Sequence, residues 1–423
     1  MSNNQSRVVV AFDYSNIFYR GLFTCTSKRA SNGLFFSADD DLRLLGNVVL
    51  SQIAGLIKDL ATGCDVVFCV DTLGSWRKDV IKKIDCLSGL GYKEGRKKKE
   101  DFDWDGIHRT MQEVLSVLRE KGYNILSIPH AEADDMMAFL ADTLINKTDC
   151  NSLVIVSADE DLRQLVRYKS ETGQCVMAVN PVSSQEKDMS RRGKRTIYIC
   201  EEQNEASKET GSFFSVGLST NMRQLVYIRN CMSSNKYNLD VINPHDILIN
   251  KLLCGDDGDS IPALYEFYTK TVRVKRITAK PKEYIVETLN VKKAEDLYNN
   301  VDLLPKVIGE SLKTEILYNL KERLQVQREL VELDTNNFPE ELRTLWTYTI
   351  EPSILINATR PINPQYNMDI TEDMLLADTK FVIEKVEGRK VVEHSVLKEL
   401  NRSVRSSAVD GRSTKDLLDD MFS

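Results

Sequence analysis

Four apolar segments, each short enough to be a buried β-strand, are followed by acidic side chains. The segments are Val8–Phe12, Val66–Val70, Tyr123–Ile128 and Leu153–Val156. Asp13 and Asp71 come directly after the first two, and clusters of acids follow the other two within a few residues. Continuous apolar strands are typical of a parallel sheet covered on both faces, and the carboxyl ends of such strands meet at one edge. The pattern therefore predicts that many carboxylates lie together in the fold.

Helical segments alternate with these strands. They are Leu42–Ala61, Ile107–Lys121 and Ala133–Asn146, the first two with apolar residues near a 3.6-residue period. This alternation predicts an α/β fold, a doubly wound and mainly parallel sheet with helices on both faces. After a less regular region we expect a mainly helical part over residues 263–350, with Leu312–Leu333 as its longest helix.

The composition is that of a soluble protein. Of the 423 residues, 42% are hydrophobic and 28% are charged, as in ordinary globular domains. Every apolar run is shorter than the roughly 18 residues of a membrane span, and Met1–Arg7 lacks an apolar signal core. The nine cysteines form no Cys-x-x-Cys pair, which indicates reduced thiols. We therefore expect a cytoplasmic protein that does not bind membranes.

Acidic residues form five groups along the chain, four after the strands and one in the turn Gly255–Pro262. Together they contribute Asp13, Asp71, Glu132, Asp134, Asp135, Asp159, Asp161, Asp256 and Asp259. Any one of them alone is more often a helix N-cap or a turn residue. Two carboxylates about 4 Å apart repel by roughly 4 kcal/mol at an effective dielectric near 20, so a cluster needs cations. Oxygen ligands without a Cys/His set favour magnesium or manganese over zinc.

Basic residues are concentrated in separate segments, although the net charge is −7. The two most informative segments are Gly91–Lys99 and Lys270–Lys282. The simpler interpretations are a solvated charged loop for the first and an exposed hairpin with ordinary lysines for the second. Separate basic and acidic zones also suit a polyanion held beside a metal-binding acidic centre. Neither a P-loop nor a Gly-x-Gly-x-x-Gly element follows any strand, which disfavours a nucleotide-dependent enzyme.

The order and spacing of the acidic blocks resemble the 5′-nuclease superfamily, which includes flap endonucleases, the 5′-exonuclease domain of bacterial DNA polymerase I and phage 5′-exonucleases. The most specific blocks are Glu132-Ala133-Asp134-Asp135 and the Gly-Asp-x-x-Asp-x-Ile-Pro turn at Gly255–Pro262. The resemblance covers roughly residues 7–350 and is nearest to the ribonuclease H of T-even bacteriophages. It implies a PIN-like (resolvase-like) catalytic domain followed by a helical, helix–turn–helix-like DNA-binding domain.

The resemblance also implies two metal sites. The acids that match the first are Asp13, Asp71, Glu132 and Asp134, and those that match the second are Asp159, Asp161, Asp256 and Asp259. Asp135 lies next to Asp134 and is a further candidate ligand. Two Mg²⁺ ions, for which Mn²⁺ can substitute, would activate a water and stabilise the leaving 3′ oxygen. Asp71 and Asp134 are then essential for catalysis, and no protein nucleophile is required.

The same resemblance gives the basic segments a function. Lys93 and Arg96 match a Tyr-Lys-x-x-Arg element in a helical arch near residues 75–110 and would contact the scissile phosphate. Tyr92 would stack on the base nearest the cut, with Trp104 as a weaker candidate. Further phosphate contacts are expected from Lys97, Lys98 and Lys99 in the arch and from Lys270, Arg273, Lys275, Arg276 and Lys280 beside the duplex. Leu264–Tyr268 stands where the family has a Gly-x-Gly loop, so a potassium site is not expected.

The end of the chain is a short acidic and apolar segment. Its apolar members are Leu417, Leu418, Met421 and Phe422. A frayed terminus is the simpler interpretation, and the alternative is a peptide that docks in a groove of a sliding clamp. A single-stranded DNA-binding protein is the other expected partner, and the chain is expected to be a monomer.

The sequence therefore predicts three parts. They are a catalytic domain at 1–250 with an insertion near 180–240, a helical duplex-binding domain at 251–350, and a tail at 351–423. The expected activity is that of a Mg²⁺-dependent 5′-3′ exonuclease and flap endonuclease, acting on DNA and RNA–DNA duplexes with free 5′ ends or flaps. Such an enzyme would remove RNA primers during replication, in the cytoplasm of a virus-infected bacterial host. Two alternatives stay open, a PIN-like endoribonuclease on single-stranded RNA and a non-catalytic nucleic-acid-binding relative.

Overall fold

A computed structural model describes most of the chain up to residue 351. The described residues are 7–31, 39–61, 64–72, 74–84, 89–96, 102–147, 150–182, 193–210, 237–271, 273–317, 319–351 and 354. Much of the predicted insertion near 180–240, together with the tail beyond 354, lies outside these ranges.

The centre of the fold is an eight-stranded sheet with the order β3-β2-β1-β4-β6-β7-β8, in which β5 also pairs with β6. The strands are β1 (Arg7–Asp13), β2 (Asp65–Cys69), β3 (Asn124–Leu126), β4 (Cys150–Val156), β5 (Arg167–Tyr168), β6 (Cys175–Asn180), β7 (Arg195–Ile199) and β8 (Tyr237–Val241). Neighbours from β3 to β6 run parallel, whereas β6 and β7 are antiparallel. The prediction of a mainly parallel sheet is confirmed, and the first four strands end at the same edge.

Helices cover both faces of this sheet. They are α1 (Tyr14–Ser31), α2 (Asp39–Leu56, continued by the π-turn Ile57–Ala61), α3 (Arg77–Val80), α4 (Trp104–Glu120), α5 (Ala133–Lys147) and α6 (Glu201–Thr210). Val8, Val10 and Phe12 of β1 pack in one core with α1, α2 and α4, while Val9 and Ala11 pack in another with α5. Both faces of β1 are therefore buried, which explains why the strand is apolar throughout.

The apolar stretch Asp41–Ala61 is a core helix by its packing. By length and composition alone it could also cross a membrane, but 56% of it is buried inside the fold. Its side chains Leu45, Val49 and Ile53 are fully buried against the sheet and its neighbours.

The C-terminal part of the described chain is mainly helical. Its helices are α7 (Pro244–Cys254), α8 (Ala279–Thr288), α9 (Ala294–Asn299), α10 (Leu304–Leu312), α11 (Leu320–Val331) and α12 (Glu340–Leu345). The prediction of one long helix over Leu312–Leu333 is wrong. Lys313 has a left-handed φ of 52° that ends α10, and Asn319 starts a new helix by accepting a hydrogen bond from the Glu322 amide at 3.3 Å.

A β-hairpin follows the acidic turn, where the resemblance implied a helix–turn–helix. Its strands are β9 (Glu266–Tyr268) and β10 (Val274–Arg276), which pair antiparallel. The exposed hairpin that the sequence left open as the simpler interpretation is therefore the structure present. Aromatic and β-branched residues in this segment favour extended pairing over a helix.

The two predicted domains are not separated at residue 250. That position lies inside α7, whose buried Leu248, Leu252 and Leu253 belong to the C-terminal core. The same core contains Val80 and Tyr92 from the first half of the chain. The C-terminal core is thus built from both parts of the sequence, and the change between them falls before α7.

Candidate active site

A cavity of about 1360 Å³ opens at the carboxyl edge of the sheet. Five of the predicted acids line it, namely Asp13, Asp71, Glu132, Asp134 and Asp159. Asp13 ends β1, and Asp71 and Asp159 lie in the loops after β2 and β4. Asp134 lies in the first turn of α5, and Glu132 directly precedes this helix. The structure thus brings together acids that follow four separate strands, because parallel strands deliver their carboxyl ends to one edge.

Asp13 lines this cavity and accepts hydrogen bonds at both carboxylate oxygens. Its Oδ2 accepts a hydrogen bond from the Ser157 hydroxyl at 2.8 Å, and its Oδ1 accepts one from the Asn16 amide at 2.9 Å. Burial, with the nearby charge of Asp71, raises the pKa of Asp13 to about 7. Because ionisation of this carboxyl group is unfavourable, a cation bound among these acids would stabilise its ionised form.

Asp71 contacts the N-terminus of α5, and Asp134 lies in the first turn of this helix. Oδ1 of Asp71 accepts a hydrogen bond from the Ala133 amide at 2.7 Å, so the first turn of this helix contributes an amide to the site. Burial raises the pKa of Asp71, although Lys93 opposes the shift. Burial also raises the pKa of Asp134, together with the charges of Asp159 and Asp13. These shifts indicate mutual repulsion among acids that share one small space.

Glu132 differs from its neighbours because protein cations already contact it. Lys93 Nζ donates to its Oε1 at 2.5 Å, and Arg77 Nη1 lies 3.2 Å from its Oε2. Burial alone would raise the pKa of Glu132, but Lys93 and Arg77 hold it below the usual value. Glu132 is therefore an ionised carboxylate in this conformation.

Lys93 and Arg96 line the cavity beside the acids, where a phosphate could reach them. Arg96 forms an ion pair with Asp259, and its Nε donates to the Gly258 carbonyl at 3.1 Å. Lys93 has a positive φ of 60°, and its amide donates to the Asp259 carbonyl at 2.9 Å. A non-glycine residue in this conformation is costly, and the contact with the acidic turn holds it there.

Tyr92 does not have the position that the sequence predicts for it. Its ring is buried in the C-terminal core, and its hydroxyl lies 2.7 Å from Glu132 Oε2 and 3.1 Å from Asp259 Oδ2. A ring that is packed on apolar side chains cannot stack on a base. Trp104 does line the cavity, so it remains the better placed of the two aromatic candidates.

Asp135 is also placed differently from the prediction. It is fully buried, and its carboxylate is 2.7 Å from Arg77 Nη2 and accepts a hydrogen bond from the Trp76 indole at 3.1 Å. It accepts a further hydrogen bond from the Glu132 amide at 2.9 Å. Asp135 therefore stabilises the loop before α5 and does not line the cavity.

Two of the remaining predicted acids, Asp161 and Asp256, are paired with Lys251. Lys251 Nζ lies 2.7 Å from Asp161 Oδ1 and also contacts Asp256. Asp161 is joined to the cavity acids through its amide, which donates to Asp159 Oδ1 at 3.0 Å. Asp259, by contrast, faces Arg96 and Lys93. The eight acids of the two predicted metal sites thus lie along one connected region.

The predicted duplex-binding residues lie on or beside the hairpin. Lys270, Arg273, Lys275 and Lys280 are exposed, and Arg276 is half-buried. Arg276 forms a bidentate pair with Asp257 at 2.6 and 2.7 Å, and Lys275 donates to the Leu312 carbonyl at 2.9 Å. Those two residues therefore stabilise the hairpin, while Lys270 and Arg273 are at its exposed end.

Several cavity residues were missed by the sequence analysis, and three of them lie on α1. Tyr19, Arg20 and Phe23 of α1 line the same cavity as the acids, and Phe23 is 52% exposed. No helix was predicted at Tyr14–Ser31, because its apolar residues do not form a single stripe. The available signal was their position shortly after Asp13, within the first three turns of the helix that follows this strand end.

The donor atoms suit a hard divalent cation, but the cage is not assembled in this conformation. Carboxylate oxygens are the ligands that Mg²⁺ and Mn²⁺ prefer. In the part of the chain that the structure describes, no three acidic, imidazole or thiol side chains are grouped so that they could hold an ion as they stand. Lys93, Arg96 and Lys251 occupy several of the carboxylates instead. Metal binding therefore requires side-chain rearrangement at this edge.

Some predicted residues lie outside the described ranges. They are Lys97, Lys98 and Lys99 of the arch and Leu417, Leu418, Met421 and Phe422 of the tail.

Comparison with known structures shows similar chains from bacteriophage T5. A flap endonuclease in a pseudo-enzyme-product complex with DNA and metal ions is 16% identical, with 84% of this chain and 100% of that chain covered and a TM-score of 0.44. A 5′-exonuclease with bound divalent zinc is 16% identical over 86% of this chain and 100% of its own, with a TM-score of 0.43. Identity and TM-score are both too low for residues of those proteins to be transferred to this chain. Comparison with curated proteins gives no match.

The family comparison covers just under half of the chain, and this part contains all five cavity acids. Residues 8–195 match the family described as the 5′-3′ exonuclease, N-terminal resolvase-like domain. The matched range includes β1 to β4, all five cavity acids, Lys93 and Arg96. Residues 8–195 of this chain therefore match the resolvase-like domain of 5′-3′ exonucleases, enzymes that hydrolyse phosphodiester bonds.

Proposed function

We propose that this protein is a Mg²⁺-dependent, structure-specific 5′-nuclease that removes RNA primers and 5′ flaps during DNA replication. The observation that supports this most is the meeting of five carboxylates from four strand ends in one cavity, with Lys93 and Arg96 on the same wall. Acids alone would suit a metal-binding protein, whereas acids beside two cations suit the hydrolysis of a bound phosphodiester.

The residues that would hold divalent ions are those nearest the cavity floor. Asp13, Asp71, Glu132, Asp134 and Asp159 offer oxygen ligands, and ions held there would lower the pKa of a water and neutralise charge on the reacting phosphate. The Ser157 hydroxyl and the Asn16 amide fix Asp13, and the Ala133 amide fixes Asp71. These contacts hold Asp13 and Asp71 at the cavity, so the rearrangement that metal binding requires concerns the other acids and the cations paired with them.

Lys93 and Arg96 would bind the scissile phosphate. Both line the cavity, and both are paired with acids in this conformation. With divalent ions held by these acids, Lys93 and Arg96 would be available to an anionic substrate instead of to Glu132 and Asp259. The substrate phosphate would then form the ion pairs with Lys93 and Arg96 that Glu132 and Asp259 form in the free protein.

The hairpin would bind the duplex part of the substrate. Lys270 and Arg273 are exposed at its end, and Tyr268 and Val274 form an exposed cross-strand pair, 52% and 49% accessible. The cations would contact phosphates and the apolar pair would contact sugars, so the hairpin would bind a duplex without reading its sequence. We also propose the sliding-clamp contact through Leu417, Leu418, Met421 and Phe422, by the composition of that segment.

Cleavage mapping on labelled substrates tests this function. The full chain is incubated with a DNA flap, an RNA-primed duplex, a blunt circular duplex and single-stranded RNA, each with and without Mg²⁺. We expect Mg²⁺-dependent cutting near the junction of the first two and none of the circle. Efficient degradation of single-stranded RNA with both junction substrates intact would instead favour the PIN-like endoribonuclease. A lack of cleavage of all four substrates would favour the alternative of a non-catalytic nucleic-acid-binding relative.

A further inference from the structure

The acids of the second predicted metal site are not left to repel one another, because a lysine lies between two of them. Lys251 Nζ is 2.7 Å from Asp161 Oδ1 and contacts Asp256 as well. The three side chains are only 17–20% exposed. Ion pairs at such positions are weakly screened by salt, so this arrangement is persistent in the free protein.

The positions of the two acids are fixed independently of Lys251. Asp256 exchanges two backbone hydrogen bonds of 2.8 Å with Ile261, and its Oδ1 accepts one from the Gly258 amide at 2.7 Å. Asp161 begins a 3₁₀ turn and its amide is bonded to Asp159. Removing the lysine would therefore leave the backbone of both acids in place and take away the cation that pairs with their carboxylates.

Lys251 itself comes from a different element. It lies in the last turn of α7, which packs on the 3₁₀ turn that begins at Asp161. Its side chain is long and flexible, so the ammonium group can leave the pair without movement of the helix. A divalent cation at the same acids would repel the ammonium and offers more charge to the same oxygens.

We propose that Lys251 is a resident counter-ion of the second carboxylate pair, which a divalent cation must displace in order to bind Asp161 and Asp256. This inference rests on the proposed function in that it takes these acids to be metal ligands. Lys251 then lowers the affinity of the second site for a divalent cation and stabilises the metal-free fold. A higher concentration of free cation is therefore needed to fill the second site.

Titration of the full chain with Mn²⁺ alone tests this, with bound Mn²⁺ followed by electron paramagnetic resonance or calorimetry. Lys251→Met preserves most of the side-chain length without the charge, and Lys208→Met, on exposed α6, is the matched control. We expect the weaker of two binding events to tighten by about tenfold or more in Lys251→Met, since the competing charge is gone. The control should bind as the wild type does, and Asp256→Asn should lose the weaker event.

A second measurement uses the wild type only, so that it does not depend on how the variant folds. Lysines are acylated with a small amine-reactive reagent with and without saturating Mn²⁺, and labelled sites are read by mass spectrometry. We expect labelling of Lys251 to rise severalfold with Mn²⁺ while that of Lys208 stays constant. Unchanged labelling of Lys251 at saturation, or unchanged Mn²⁺ binding by a folded Lys251→Met, would overturn the inference alone. A wild type that binds no Mn²⁺ at all would overturn the proposed function together with it.

Discussion

The hydroxyl of Tyr92 lies between Glu132 and Asp259. We therefore expect Tyr92→Phe to lower the free energy of unfolding by about 2 kcal/mol, since a buried hydrogen bond to a carboxylate is lost while the ring stays packed. Cleavage should fall moderately, because Glu132 loses the hydrogen bond from this hydroxyl. Chemical denaturation and steady-state kinetics measure the two effects. A base-stacking Tyr92 would behave differently, because phenylalanine would then leave both stability and cleavage unchanged.

Glu113 of α4 gives a pH dependence that is separate from the acidic cavity. Burial raises its pKa to about 8, against an opposing effect of Arg109 on the same helix. Between pH 5 and 8 the folded protein therefore binds a proton that the unfolded chain, with a glutamate pKa near 4.5, has lost. Stability from this group is thus lost as the pH rises through 8.

The variant Glu113→Gln isolates this contribution. We expect it to match the wild type near pH 4.5 and to become the more stable protein as the pH rises to 9, by up to about 5 kcal/mol for pKa values of about 8 folded and 4.5 unfolded. Urea denaturation at several pH values in EDTA measures the difference. A difference that does not change with pH would show that Glu113 titrates as an ordinary exposed glutamate.

The hairpin β9–β10 is an element whose function can be tested by its charge alone. Replacing Lys270 and Arg273 by alanine should lower the slope of log affinity against log salt by about 1.8 if each residue neutralises one duplex phosphate. Affinity for a junction should fall with it, while cleavage of bound substrate should change little. Fluorescence anisotropy at several salt concentrations measures the slope. The control variant Lys208→Ala, at an exposed lysine of α6, should leave the slope unchanged.

The end of α7 depends on one glycine. Gly255 has a positive φ of 71°, and an added Cβ would lie 2.4 Å from the carbonyl oxygens of Ile261 and Pro262. Gly255→Ala should therefore cost roughly 3 kcal/mol and disturb the acidic turn. Gly122 has a similar φ of 82° with open space around it, so Gly122→Ala should cost only about 1 kcal/mol. Equal losses in thermal unfolding would contradict the close approach seen at Gly255.

Element types were predictable where the local pattern and the tertiary environment agree. The continuous apolar runs of β1 and β4 had to be buried on both faces, and this fixed the parallel sheet and its acidic edge. Helix α1 was not predictable because its burial is set by the sheet and not by its own periodicity. The break at Lys313 depends on a left-handed residue that the sequence does not mark with glycine.

At the scale of the whole molecule, the two predicted domains share their contacts. The Arg77 guanidinium, in the first half of the chain, donates to the Leu330 carbonyl at 2.9 Å while it pairs with Glu132 and Asp135. Phe338 and Trp346 pack against Phe139 of α5. Sequence reasoning found the acids and the cations but not which of them pair. That pairing is decided by contacts between residues far apart in the chain, as at Tyr92, Asp135 and Lys251.

The proposed function assigns metal-dependent hydrolysis to the cavity acids and binding of the duplex to other surfaces. The most direct test is single-turnover cleavage of a labelled flap by Asp71→Asn and Asp134→Asn, alongside anisotropy of the same flap in Ca²⁺ and a Lys208→Met control. We expect both variants to lose cleavage to background while their junction affinity stays close to that of the wild type. Cleavage at the wild-type rate by both folded variants would contradict the assignment of the cavity as the catalytic centre.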